Sequence, residues 1–180
     1  MKKIAASGFT LVEMLVSIAI LGIIAVAVIP LLSSNDPQKL GVAAEETANL
    51  LRFALSEASR TGGFVLVDGK STPGQFKLYY SDSNGNSISA IDDPLTKRAA
   101  ILDVGNSAFS QGVLLTPQFR AGGSPWTQLL IGPGVPQLQV FDGAGSNKGS
   151  LEANSGVLLG FGGQSRTVSV NEATGLVSLP

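Results

Sequence analysis

The chemistry open to this 180-residue chain is narrow, because it contains neither histidine nor cysteine. Without thiols there are no disulfides and no sulfur ligands. Without imidazole the usual neutral-pH base and the commonest metal ligand are both missing. One carboxylate stands out by its position. Glu13 lies five residues into an apolar block that begins at Phe9, and Met14 to Leu32 then supplies 19 residues with no formal charge and one hydroxyl, Ser17. A lone ionised carboxylate in hydrocarbon is costly and implies a partner or a functional site. The chemistry it offers is neutralisation by an amine. The plainer alternative is a glutamate near the interface of an ordinary anchor, reaching the headgroups.

Other constellations are weaker. Asp92-Asp93 and Asp142 with Asn147 are the acid-bearing loops nearest to a calcium pattern, but the acids around Asp142 do not recur at ligand spacing. Solvated turns account for them, so no metal and no cofactor is expected. Lys97 or Lys148 near a serine is a poor substitute for a catalytic base. Gly160-Phe161-Gly162-Gly163 and Gly41 lack phosphate-loop spacing. Trp126 and Tyr79-Tyr80 can form a binding patch, but buried strand aromatics are the simpler reading. No enzymatic activity is expected. Net charge is -1, with 14% charged residues, so nothing marks a nucleic-acid surface and only Lys97-Arg98 hints at a basic patch.

The elements that must position Glu13 follow from periodicity. Met1-Lys2-Lys3 is a short positive start, and residues 9–32 are long enough to cross a bilayer as a helix. The lysines belong on the cytoplasmic side and the body on the far side. Pro30 removes a helix hydrogen bond and bends or ends that helix. Asp36-Pro37 reads as a new helix start. From there Leu40, Ala44, Thr47, Leu51, Ala54 or Leu55, and Ala58 recur at helical spacing, with Glu45, Glu46, Asn49, Arg52, Glu57 and Arg60 among the residues between them. Gly62-Gly63 is the expected stop. Residues 9 to about 61 thus read as one long interrupted helix.

Most of the 22 glycines and nine prolines lie beyond residue 61, which favours short strands and turns. Strands are expected at Phe64–Val67, Gln75–Tyr80, Ala99–Val104, Trp126–Ile131, Gln137–Phe141, Val157–Phe161, Arg166–Val170 and Leu176–Leu179. Val113-Leu114-Leu115 can be another. Ser81 to Ser89, Phe119 to Pro125 and Asp142 to Ser150 read as loops. The fold class is α+β, a long N-terminal helix packed on an antiparallel sheet body.

The run Gly8-Phe9-Thr10-Leu11-Val12-Glu13 resembles the N-terminal signature of type IV pilins and type II secretion pseudopilins. The resemblance implies a leader, residues 1–8, cut by a prepilin peptidase between Gly8 and Phe9, with N-methylation of Phe9 by the same enzyme. It also implies an assembly role for Glu13 with Phe9, and a helix kink at Pro30. Cleavage would free an amine at i,i+4 spacing from Glu13, where the two can neutralise each other. In a fibre, the resemblance implies, Glu13 meets the Phe9 amine of a preceding subunit and sets register. Within the family, residues 48–60 and the closing hairpin are most similar to the GspH and FimT branch of minor pseudopilins. That hairpin has an Arg166-led strand, the turn Asn171-Glu172-Ala173-Thr174-Gly175 and a last short strand.

The implied organisation is a leader at 1–8, a transmembrane assembly helix at 9–32, its amphipathic half at 33–62 and a periplasmic β-rich domain at 63–180. The implied function is that of a minor pseudopilin in a type II secretion pseudopilus, single-pass in the inner membrane. Its partners would be homologous pilins or pseudopilins, the prepilin peptidase/methyltransferase, an inner-membrane assembly platform and lipid, with nucleic acid not expected. Contacts from Leu11, Leu15, Ile18 and Ile24 would dominate helix packing between neighbours. The alternatives are a minor or major type IV pilus subunit, a fibre module for DNA uptake or adhesion, and a plain anchored periplasmic domain.

Overall fold

The computed structural model describes residues 10–33, 36–134 and 137–179. They fall into two units, divided between Asn35 and Asp36. The first contains a single helix, α1 (Leu11–Ser33). It continues past Pro30 for three residues, so the proline does not end it.

In the second unit, α2 (Asp36–Thr61) carries the expected stripe. Leu40, Ala44, Thr47, Leu51, Ala54 and Ala58 are all buried, joined by Ala43 and Ala48. Alanine dominates this face, which lets the helix approach the strands closely. Thr47 satisfies its buried hydroxyl by donating to the Ala43 carbonyl at 2.7 Å. The helix stops as a glycine cap stops one: Gly62 adopts φ +66°, and its N–H returns to the Ala58 carbonyl at 3.0 Å.

The body holds twelve strands among the described residues. They are β1 (Phe64–Asp68), β2 (Gln75–Ser81), β3 (Ser87–Ala90), β4 (Ile101–Asp103), β5 (Leu114–Ala121), β6 (Ser124–Trp126), β7 (Gln128–Ile131), β8 (Leu138–Phe141), β9 (Asn147–Ser150), β10 (Ser155–Phe161), β11 (Gln164–Val170) and β12 (Val177–Ser178). One sheet has seven strands in the order β3-β2-β1-β7-β8-β9, with β4 also on β2; the other has five, β12-β11-β10-β5-β6. Every described pairing is antiparallel. α2 packs on β1, β10 and β11, closing one core that includes Val65, Phe76, Phe119, Leu129, Val157 and Val168. The opposite face of the larger sheet carries a small second cluster of Leu66, Leu130 and Phe141 under Phe64 and Tyr79.

Three segments expected as loops contain strands. β3 begins inside 81–89 and ends one residue beyond it, β9 lies inside 142–150, and the run 119–125 holds the end of β5 and the start of β6. All four residues of β3 are exposed, so it has no alternation to read; backbone pairing to β2 makes it a strand. Pro125 is tolerated because β6 is an edge strand that pairs only with β5. Elsewhere the alternation was legible: Val168 and Val170 are buried while Thr167 is exposed. Phe76 and Leu78 likewise point into the core.

Candidate functional site

Gly8 and Phe9 lie outside the described residues, whose first member is Thr10. Thr10 is the cap of α1. Its Oγ1 accepts the Glu13 N–H at 3.3 Å, and its carbonyl accepts the Met14 N–H at 3.2 Å. Thr10 with Glu13 is therefore a Thr-x-x-Glu capping pattern, with the threonine half formed. Glu13 stands third in the helix, where unpaired N–H groups and the helix dipole favour a negative charge. Ser17, the lone hydroxyl of the apolar run, donates to the Glu13 carbonyl at 2.7 Å, the i−4 back-bond typical of serine in a helix.

Around that carboxylate the surface is apolar. Leu11 is 80% exposed, and Leu15, Ile18 and Ile24 are exposed on the same helix. A helix apolar on every face is stable only when lipid or other helices cover it. Among the described residues no helix is long and apolar enough to cross a membrane. The described side chains of α1 end at Ile24, which is shorter than a span requires. The side chain of Pro30 lies outside the described set.

The other candidate residues are scattered, and most are engaged locally. Asp93 accepts the Leu95 and Thr96 N–H groups at 2.7 and 2.8 Å. Asp92 forms a bridge with Ala99 at the foot of the same hairpin. Lys97 turns its tip with φ +55°. Asp142 pairs with Lys148 at 2.7 Å and accepts the Ala144 and Ser146 N–H groups. The Lys148 ammonium first, then the Ser146 amide, hold the Asp142 carboxyl down at about 2. Asn147 donates to Gln139 and accepts from Gly149. Among the described residues no three acidic side chains converge on a metal position. Trp126 is half-buried, donates to the Ala121 carbonyl at 3.1 Å and lies under the Lys148 ammonium, 4.8 Å from its centroid. Gly162 and Gly163 form the β10–β11 turn with positive φ.

Two buried acids were not singled out from the sequence. Glu57, set among the polar positions between the stripe residues of α2, is 6% exposed. Arg60 donates to it from Nε and Nη2 at 2.9 and 2.6 Å, and the Tyr80 hydroxyl donates at 2.5 Å. The Arg60 hydrogen bond is the main reason its carboxyl sits below the ordinary range, against the opposing effect of burial. Asp68, the last residue of β1, accepts from the Lys70 N–H, Gln128 Nε2 and the Ser71 hydroxyl. It borders an open polar cleft of about 510 Å³ between the 82–86 and 142–146 turns. An i,i+3 Arg after a helical Glu and a Tyr two residues past the core-facing Leu78 were the available signals for the Glu57 cluster.

The closing hairpin shows why its pattern works as a turn. Asn171 Oδ1 accepts the Ala173 and Thr174 N–H groups and the Thr174 hydroxyl. Thr174 Oγ1 in turn accepts the Leu176 N–H at 3.2 Å, and Gly175 takes φ +68°. Arg52 Nη2 donates to the Val177 carbonyl at 3.2 Å, tying the last strand to α2.

Residues 4–29 match the family described as the prokaryotic N-terminal methylation motif. The match runs from before Gly8 through Glu13 and most of α1, and it indicates a type IV pilin-like protein with a prepilin leader. Comparison with curated proteins and with solved structures gave no match.

Proposed function

We propose that this type IV pilin-like chain is a minor pseudopilin, a structural subunit of a type II secretion pseudopilus. The observation that carries the reading is the methylation motif running without interruption into α1. Within it, Glu13 is the one acid in a first turn whose other described side chains are apolar or hydroxylic. In this reading the peptidase cuts between Gly8 and Phe9 and methylates the new Phe9 amine. Residues 9–32 then hold the subunit in the inner membrane, and the α2 and β body stands in the periplasm. Pairing of Glu13 with the Phe9 amine offsets the cost of a carboxylate in an apolar setting. When the amine comes from the preceding subunit, the same pairing fixes the axial register of the fibre.

The body's role here is mechanical and not enzymatic. The GspH and FimT branch is favoured by the Asn171–Gly175 turn, whose asparagine, threonine and glycine each carry a separate bond or backbone angle. A minor or major subunit of a type IV pilus is the second reading, since the motif is common to both machines. Replacing Glu13 by Ala tests the register role. Membrane insertion should persist while incorporation into fibres is lost, and normal fibres from that variant would contradict it.

A further inference from the structure

One end of the body carries apolar side chains that its core does not use. Phe109, on the 105–112 loop, is 75% exposed, and Leu114 at the start of β5 is 73% exposed. Leu114 sits at one end of the five-stranded sheet, and the 105–112 loop that carries Phe109 runs into that end at Gly112. Leu114 pairs with Gly160 on the last rung of β5 with β10. Gly112 lies so close to the Phe161 ring that an added Cβ would be 2.9 Å from it. Lys39, in the first turn of α2, holds its ammonium 4.5 Å from the centroid of that ring. Arg166 is exposed on β11, with Nη1 3.5 Å from where a Cβ on Gly41 of α2 would stand. The acid nearest this loop on α2, Glu46, is drawn inward, 3.4 Å from the hydroxyls of Ser107 and the fully buried Ser110.

Exposed apolar groups rimmed by long cationic side chains are what settle at a headgroup boundary. The chain itself supplies the surface. Lys39 follows Leu32, the last residue of the apolar run, by seven residues. Seven residues reach at most about 25 Å, whatever the angle between the helices. We propose that this end of the body docks on the anionic phospholipid surface of the membrane that holds α1. Phe109 and Leu114 enter the headgroup–acyl boundary, and Lys39 and Arg166 face lipid phosphates. The contact orients the membrane-resident subunit and is given up when it enters a fibre. It rests on reading residues 9–32 as a membrane anchor.

The absence of cysteine allows single-site labelling of the full chain in nanodiscs. An environment-sensitive fluorophore would be placed by Ala108→Cys, by Leu95→Cys at a site on another edge, and by Ile18→Cys within the anchor. Headgroup-level and acyl-chain quenchers are then compared in phosphatidylcholine alone and with phosphatidylglycerol added. The label at 108 should be blue-shifted and quenched at headgroup level, more so with phosphatidylglycerol, while the label at 95 stays water-exposed. Lys39→Gln with Arg166→Gln should abolish the phosphatidylglycerol dependence, and Phe109→Ser with Leu114→Ser should abolish the blue shift. A label at 108 as water-exposed as that at 95 would overturn the docking while leaving the anchor intact. A blue shift that appears only with several copies per disc would assign the patch to subunit contact and also overturn it. An Ile18 label beyond the reach of acyl-chain quenchers would overturn the anchor reading itself.

Discussion

The Tyr80 hydroxyl donates to Glu57 Oε1 at 2.5 Å, joining β2 to α2 through a carboxylate that Arg60 also holds. Removing the hydroxyl with Tyr80→Phe leaves the Arg60 pair in place. It should cost about 1.5–3 kcal/mol, the range for a hydrogen bond to a charged group. Chemical denaturation followed through Trp126, the single tryptophan, measures this.

The same carboxylate makes stability depend on acid. Its folded pKa lies below the ordinary 4.5, chiefly through Arg60. Its contribution is therefore fully present above that ordinary value and is lost as pH falls through the lowered folded one. Glu57→Gln should be less stable at neutral pH and lose less on acidification. A parallel decline in both proteins would show that another group controls the acid limb.

A backbone crossing supplies a steric test. A Cβ on Gly156 would lie 2.1 Å from the Val168 carbonyl oxygen, in the β10–β11 pair. The Cβ position is fixed by the Gly156 backbone and the oxygen belongs to the Val168 backbone of the same ladder, so neither can swing aside. Gly156→Ala should lose about 3 kcal/mol or more. Gly63→Ala, in open surroundings by comparison, with the Thr61 hydroxyl at 3.5 Å, should be far milder.

The Asp142–Lys148 pair gives a local titration readout. The Asp142 carboxyl should titrate at about 2. In Lys148→Met it should move up toward the ordinary 3.8, because the leading cause of the shift is gone. Carboxyl chemical shifts against pH follow both titrations.

The parts of the fold that were legible share a physical basis. The α2 stripe and the Val168/Val170 alternation are one-sided burial patterns, and burial leaves a period in the sequence. β3 and β9 leave none, because they are short edge strands whose side chains are mostly exposed. Sheet order was equally hidden: β1 pairs with β7 and β5 with β10 across long stretches of chain, and no local residue encodes those partners. At the site, Glu13 was conspicuous because a charge is rare in apolar sequence. Glu57 was not, because a glutamate on an amphipathic helix reads as solvent-facing until Tyr80 and Arg60 are seen beside it.

The proposed maturation makes Phe9 the first residue of the functional chain. Intact-mass and N-terminal fragment measurement of the protein recovered from membranes containing a prepilin peptidase tests it directly. Residues 1–8 should be missing, and the Phe9 amine should carry one added methyl group. A chain that retains Met1, or one cut anywhere other than between Gly8 and Phe9, would contradict it.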